Sequence, residues 1–227
     1  MHRRHVPSSA VLAVLALSLL CAAPRAHGQE YWTVQDPLAN FSTGFRFGGY
    51  VLTDDDARDT YEGLGVFGID LKYHFFDLPL ALSTSFDFLG GDGDPDVTDP
   101  DVAVPGIVDA DADVQLFNWR LTAVFEPPAG YFGDAYGHFY VNPYVGGGLG
   151  LHYAWEEIER EGFFFRTETD ESSTSIGFHG LAGIDFVFGT FFSAGLEVLY
   201  ATSTVDGVVS AHDFDGFMIT GSLRFFF

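Results

Sequence analysis

The last eleven residues of the chain read Phe217-Met218-Ile219-Thr220-Gly221-Ser222-Leu223-Arg224-Phe225-Phe226-Phe227. Every second one (Phe217, Ile219, Gly221, Leu223, Phe225, Phe227) is apolar or glycine, and Arg224 falls on the other parity. That is the period of a β-strand with two unlike faces. Its length matches the roughly 9–11 residues with which a strand crosses a bilayer. In water a terminus frays, and three consecutive rings gain little there. Rings that face lipid account for them. A single strand cannot satisfy its own backbone inside a membrane, so the rest of the chain must supply the partners of a closed barrel.

Seven further alternating segments precede it, at roughly 42–52, 63–75, 80–89, 114–125, 141–155, 174–188 and 191–202. Turn-forming Gly, Asp and Pro clusters separate them, which reads as all-β. One parity is apolar throughout, as in Phe67, Ile69, Leu71, Tyr73 and Phe75, or Phe117, Trp119, Leu121 and Phe125. The other carries Arg46, Asp70, Lys72, Asp87, Arg120, Asp185, Glu197 and Arg224 among small residues. Alternation alone does not say which face points inward. A solvated face on eight strands would carry many charges of both signs. Here four basic residues balance four acidic ones, as a confined interior requires, because buried charges must be paired. The polar face therefore lines the lumen and the apolar face meets lipid.

At the N-terminus, Arg3 and Arg4 precede the apolar run Val11 to Leu20, and Ala26-His27-Gly28 offers small residues before a cleavage point. Residues 1–28 read as a secretory signal peptide and 29–227 as the barrel. Cys21, the only cysteine, lies in that leader. The mature chain thus has no disulfide and no cysteine metal site.

The connections after the second and sixth strands are short, at Phe76-Asp77-Leu78-Pro79 and Gly189-Thr190, whereas Glu126 to Tyr140 is long. Those at the other end, 54–62, 90–113, 156–171 and 203–215, are longer and acidic. Short periplasmic turns and long outer loops are the habit of outer-membrane barrels, which would place both termini in the periplasm. Phe75, Phe76, Phe125, Tyr140, Phe188, Phe191 and Phe227 then form one aromatic girdle, and Tyr50, Phe88, Phe117, Trp119, Tyr153, Trp155 and Tyr200 the other.

The run Asn142-Pro143-Tyr144-Val145-Gly146-Gly147-Gly148-Leu149-Gly150 resembles a segment of small bacterial outer-membrane β-barrel proteins, the family of OmpA-like transmembrane domains, OmpW and the opacity proteins. Gly177 to Tyr200 is similar to the next hairpin of that family. The resemblance implies an eight-stranded antiparallel up-and-down barrel in the outer membrane. It also implies a terminal signal, Phe225 and Phe227, read by the barrel-assembly machinery. No peptidoglycan-binding segment follows the barrel in this sequence, so cell-wall anchoring is not implied.

Function is less legible. The eight lumen charges could line a gated pore, but an eight-stranded interior is about wide enough for side chains to fill it, and a salt-bridged plug is the expectation. Removing Arg3, Arg4 and Arg25 with the leader leaves seven Lys and Arg against 32 acids, a net charge of −25. That excludes nucleic-acid binding and makes direct contact with lipopolysaccharide depend on bridging divalent ions. Asp92, Asp94, Asp96, Asp99 and Asp101 offer hard oxygen ligands suited to Ca²⁺. However, Val97 and Ala103 stand where an EF-hand needs Gly and Glu, so a solvated acidic loop is the plainer reading. Phe163-Phe164-Phe165 in segment 156–171 could form a surface-ligand tip. The only close Ser, His and Asp set, Ser210, His212 and Asp213, lies in a loop. No catalytic residues are assigned. The expectation is a structural or surface-interaction barrel that is not an enzyme, followed by an OmpW-like conduit for small hydrophobic molecules and, last, a lipid-modifying enzyme.

Overall fold

The computed structural model describes residues 41–53, 58, 61, 63–75, 78–93, 107–127, 132–134, 139–162, 165–189, 191–203 and 215–227. The leader expected over 1–28 lies outside them. Among the described residues nine strands follow in order: β1 (Phe41–Leu52), β2 (Leu64–Phe75), β3 (Leu80–Gly93), β4 (Ile107–Phe125), β5 (Phe132–Asp134), β6 (Phe139–Gly162), β7 (Phe165–Phe188), β8 (Phe192–Thr202) and β9 (Gly216–Phe226). Eight are long. β5 is a three-residue strand within the long connection, paired to the start of β6.

All pairings are antiparallel between neighbours, β4 pairs β6, and β9 returns to pair β1 from Ser42↔Phe226 to Leu52↔Gly216. The eight long strands therefore form a closed barrel. Closure extends to the final residue: Phe227 N–H donates to Phe41 O at 2.9 Å, and Phe41 N–H to Phe227 O at 3.3 Å. The β7–β8 turn begins at Gly189, whose φ of 65° is left-handed; glycine adopts it without the Cβ clash other residues meet.

The inward and outward parities are as the alternation dictates. Phe67, Ile69, Phe88, Leu121, Leu149, Phe178, Leu196, Ile219 and Phe225 are exposed on the outside, whereas all eight charges of the polar face are buried.

Three corrections concern the ends. β4, β6 and β7 run well past the segments read from sequence, so residues 107–113 and most of 156–171 are strand rather than loop. Beyond the outward apolar band neither face of a strand has to be apolar, so the alternation fades there while the hydrogen-bond ladder continues. Tyr50 and Tyr140 do not belong to the aromatic girdles: both point inward, 3% and 7% exposed.

Candidate functional site

The lumen is stratified. At the end where the long connections lie (the loop end), Tyr50, Leu52, Leu64, Val66, Leu89, Val114, Leu116, Ala154, Leu199, Ala201 and Met218 form an apolar layer. Tyr61, from the β1–β2 connection, is fully buried against them and donates its hydroxyl to Glu156 of β6. Burial, and then the Glu156 carboxylate, push the Tyr61 phenol well above its usual range.

The charges fill the middle. Arg46 Nη1 donates to Glu197 Oε1 at 2.8 Å while its Nη2 reaches Asp87 Oδ1. Arg120 Nη2 donates to the other Asp87 oxygen. Tyr144 OH donates to Glu197 Oε2 at 3.1 Å. Nearer the terminus end, Arg224 donates from Nη1 to Asp185 Oδ2 at 2.5 Å and from Nη2 to Asp70 Oδ2 at 3.2 Å. Two histidine contacts adjoin this network: His152 Nδ1 lies 2.8 Å from Asn118 Oδ1, and His179 Nε2 lies 2.8 Å from Thr122 Oγ1. A void of about 10 Å³ between Arg46, Asp70, Lys72, Tyr144, Glu197 and Arg224 has room for about one water.

Register explains how the acids fit. Asp70 stands opposite Gly44, Asp87 opposite Gly68, and Asp185 opposite Gly195. A β-carbon on these glycines would lie 2.4, 2.1 and 2.2 Å from the facing carboxylate oxygen. Each acid occupies space its neighbour leaves empty.

Lys72 is paired with a residue the sequence reading did not include. Its Nζ lies 3.5 Å from Glu126 Oε2, and it sits over the Tyr144 ring at 4.5 Å. Glu126 follows β4 by one residue, beyond the alternating pattern, and its N–H donates to Pro79 O at 3.0 Å. Its other oxygen, Oε1, accepts from His74 Nδ1, and Ser42 Oγ lies 3.1 Å from His74 Nε2. Tyr140, Val187 and Phe226 close this end as a small apolar floor.

Outside the lumen, β4, β6 and β7 continue above the lipid-facing band as a projecting sheet, with register to Gly162↔Phe165. On its outward face Asp92 opposes Asp113, Asp113 opposes Glu157, and Asp111 opposes Glu159, which opposes Glu168. Arg166 binds Glu159. Of the five acids suggested for Ca²⁺, Asp92 is in β3, while Asp94, Asp96, Asp99 and Asp101 lie outside the described residues, as do Phe163, Phe164, Ser210, His212 and Asp213. Among the described residues no group of three His, Cys, Asp or Glu is placed to hold a metal.

The architecture recurs in solved structures. The chain is similar to Neisserial surface protein A, with 16% identity, 83% of this chain and 98% of that one covered, and a TM-score of 0.53. It is also similar to the outer membrane protein OprG from Pseudomonas aeruginosa, with 18% identity, 84% and 97% covered, and a TM-score of 0.52. At these identities the likeness is one of fold. No curated sequence matches the chain. The family model described as outer membrane protein beta-barrel domain matches residues 12–225, and the chain belongs to that family.

Proposed function

We propose that this protein is a sealed barrel of the bacterial outer membrane, with both termini in the periplasm, whose role is structural and surface-interacting rather than conducting. The stratified lumen carries this reading. Among the described residues the loop end of the lumen is lined by an apolar layer under Tyr61, which disfavours ions, and the paired charges below it lie in the middle of a barrel only eight strands around. The conduit reading needs a hollow upper lumen, and the buried apolar layer speaks against one.

Orientation is supported by the short turn at Gly189 and by the long connections at the opposite end. The projecting sheet then faces the cell's surroundings. Its acidic outward face stands at the height of the lipid headgroups, where contact with lipopolysaccharide goes through divalent ions and a protein partner would be cationic. The terminal Phe225 and Phe227, both outward-facing, are the part offered to the assembly machinery.

Planar-bilayer recording of the refolded barrel tests the seal. The expected trace shows no stepwise conductance at neutral pH. Regular steps that survive removal of the leader would refute it.

A further inference from the structure

We propose that Ser42, His74 and Glu126 form a serine-hydrolase-type relay at the terminus end of the lumen, acting on small acyl esters. No sequence motif announces it. The three residues come from β1, β2 and the position after β4, and the β1–β4 meander brings them together.

The order of atoms is the argument. A carboxylate only accepts hydrogen bonds, so the contact of Glu126 Oε1 with His74 Nδ1 puts the imidazole hydrogen on Nδ1. In the neutral ring Nε2 then carries the lone pair, and it faces Ser42 Oγ at 3.1 Å. This is the arrangement in which a histidine takes a serine proton while a carboxylate fixes its tautomer and steadies the imidazolium. Glu126 is itself fixed, by its N–H to Pro79 O and by Lys72 on its second oxygen. Lys72 is also the register partner of Ser42, which gives this layer a positive charge for a developing oxyanion.

In the reaction, Ser42 Oγ bonds to the acyl carbon and its proton passes to His74 Nε2. The ester C–O bond breaks and His74 returns the proton to the departing alcohol oxygen. Water, deprotonated by His74, then cleaves the seryl ester. This releases the carboxylic acid and restores Ser42.

Ser42 is fully buried, whereas the His74 and Glu126 side chains keep 17% and 10% exposure. Phe226, the other register partner of Ser42, lies with its ring 5.9 Å from that of His74. It is the cover that must move for an acyl group to reach the hydroxyl, and Tyr140 and Val187 beside it offer the apolar wall that group would meet.

A fluorophosphonate probe tests this on the barrel refolded in detergent, with folding checked by heat-modifiable migration and the adduct located by peptide mass. The expected result is a single adduct on Ser42, absent in Ser42→Ala and several-fold faster in Phe226→Ala. In His74→Gln it forms about a hundredfold more slowly. Folded wild-type and Phe226→Ala barrels that both stay unlabelled at Ser42 would overturn the proposal, as would labelling indifferent to His74. Either outcome leaves the sealed barrel standing, because that reading is tested by conductance.

Discussion

Gly68 faces Asp87 across the β2–β3 ladder so closely that a β-carbon on the glycine would stand 2.1 Å from Asp87 Oδ1 and 2.8 Å from Phe86 O. Asp87 is the acid shared by Arg46 and Arg120, so this gap sits beneath the centre of the charge network. Gly68→Ala should force the carboxylate off its two arginines. Overpacking of this kind costs about 1–3 kcal/mol. The check is urea-induced loss of the fast-migrating folded band on a gel; a midpoint equal to wild type would show that the barrel has slack at this point.

Arg224 is held between Asp185 and Asp70, on strands at either side of it around the barrel. Arg224→Glu would put three acids in one buried layer, leaving both aspartates without their guanidinium. Breaking a buried pair in this way costs about 3–5 kcal/mol. Thermal unfolding in detergent should fall accordingly. Adding Asp185→Lys to the variant should recover part of the loss, which separates charge from packing.

How much of this was legible in the sequence depended on whether a feature was periodic. The eight buried charges were, because each lies on the polar parity of a strand whose other face meets lipid. Glu126 was not, since it stands one residue past β4, and with it went the link to His74 and Ser42. The apolar layer was hidden for the opposite reason. Leu64, Val66, Leu89, Leu116 and Leu199 are inward residues as apolar as the outward ones, so near the loop end the two faces look alike. The glycine partners of Asp70, Asp87 and Asp185 require the register between strands, which a single strand's pattern does not contain.

Tyr61 is buried at the loop end and donates its hydroxyl to Glu156. Tyr61→Phe removes that bond without changing the ring, at a cost of about 1.5–3 kcal/mol for a hydrogen bond to a charged group. The effect should be local: faster proteolytic nicking in the β1–β2 connection, with the barrel midpoint little changed. There is a pH counterpart. The raised phenol contributes stability that is present below the ordinary tyrosine pKa of about 10 and is lost as pH rises from there toward the folded value. Alkaline nicking of wild type should therefore rise above about pH 10, and the Phe variant should not show that rise.

The projecting sheet holds like charges directly opposite one another, with Asp113 between Asp92 on β3 and Glu157 on β6. Opposed like charges weaken a ladder by roughly 0.2–1 kcal/mol a pair, and exposure to salt water keeps the effect at the low end. The Asp113 carboxyl is pushed above its ordinary range, by desolvation first and then by the hydrogen bond and charge of Asp92, with Asp111 adding to it. A raised acid favours the folded sheet most when protonated, so its contribution is present at acid pH and fades as pH rises through the folded value. Asp113→Asn should reproduce the protonated state at neutral pH. Amide exchange in the 107–113 and 156–162 segments should slow in this variant relative to wild type at low salt, and the difference should shrink at about 1 M salt, where the screening length is near 3 Å. Exchange that is equal or faster in the variant would mean that the acids of this face are not in conflict and that some other contact already compensates their charge.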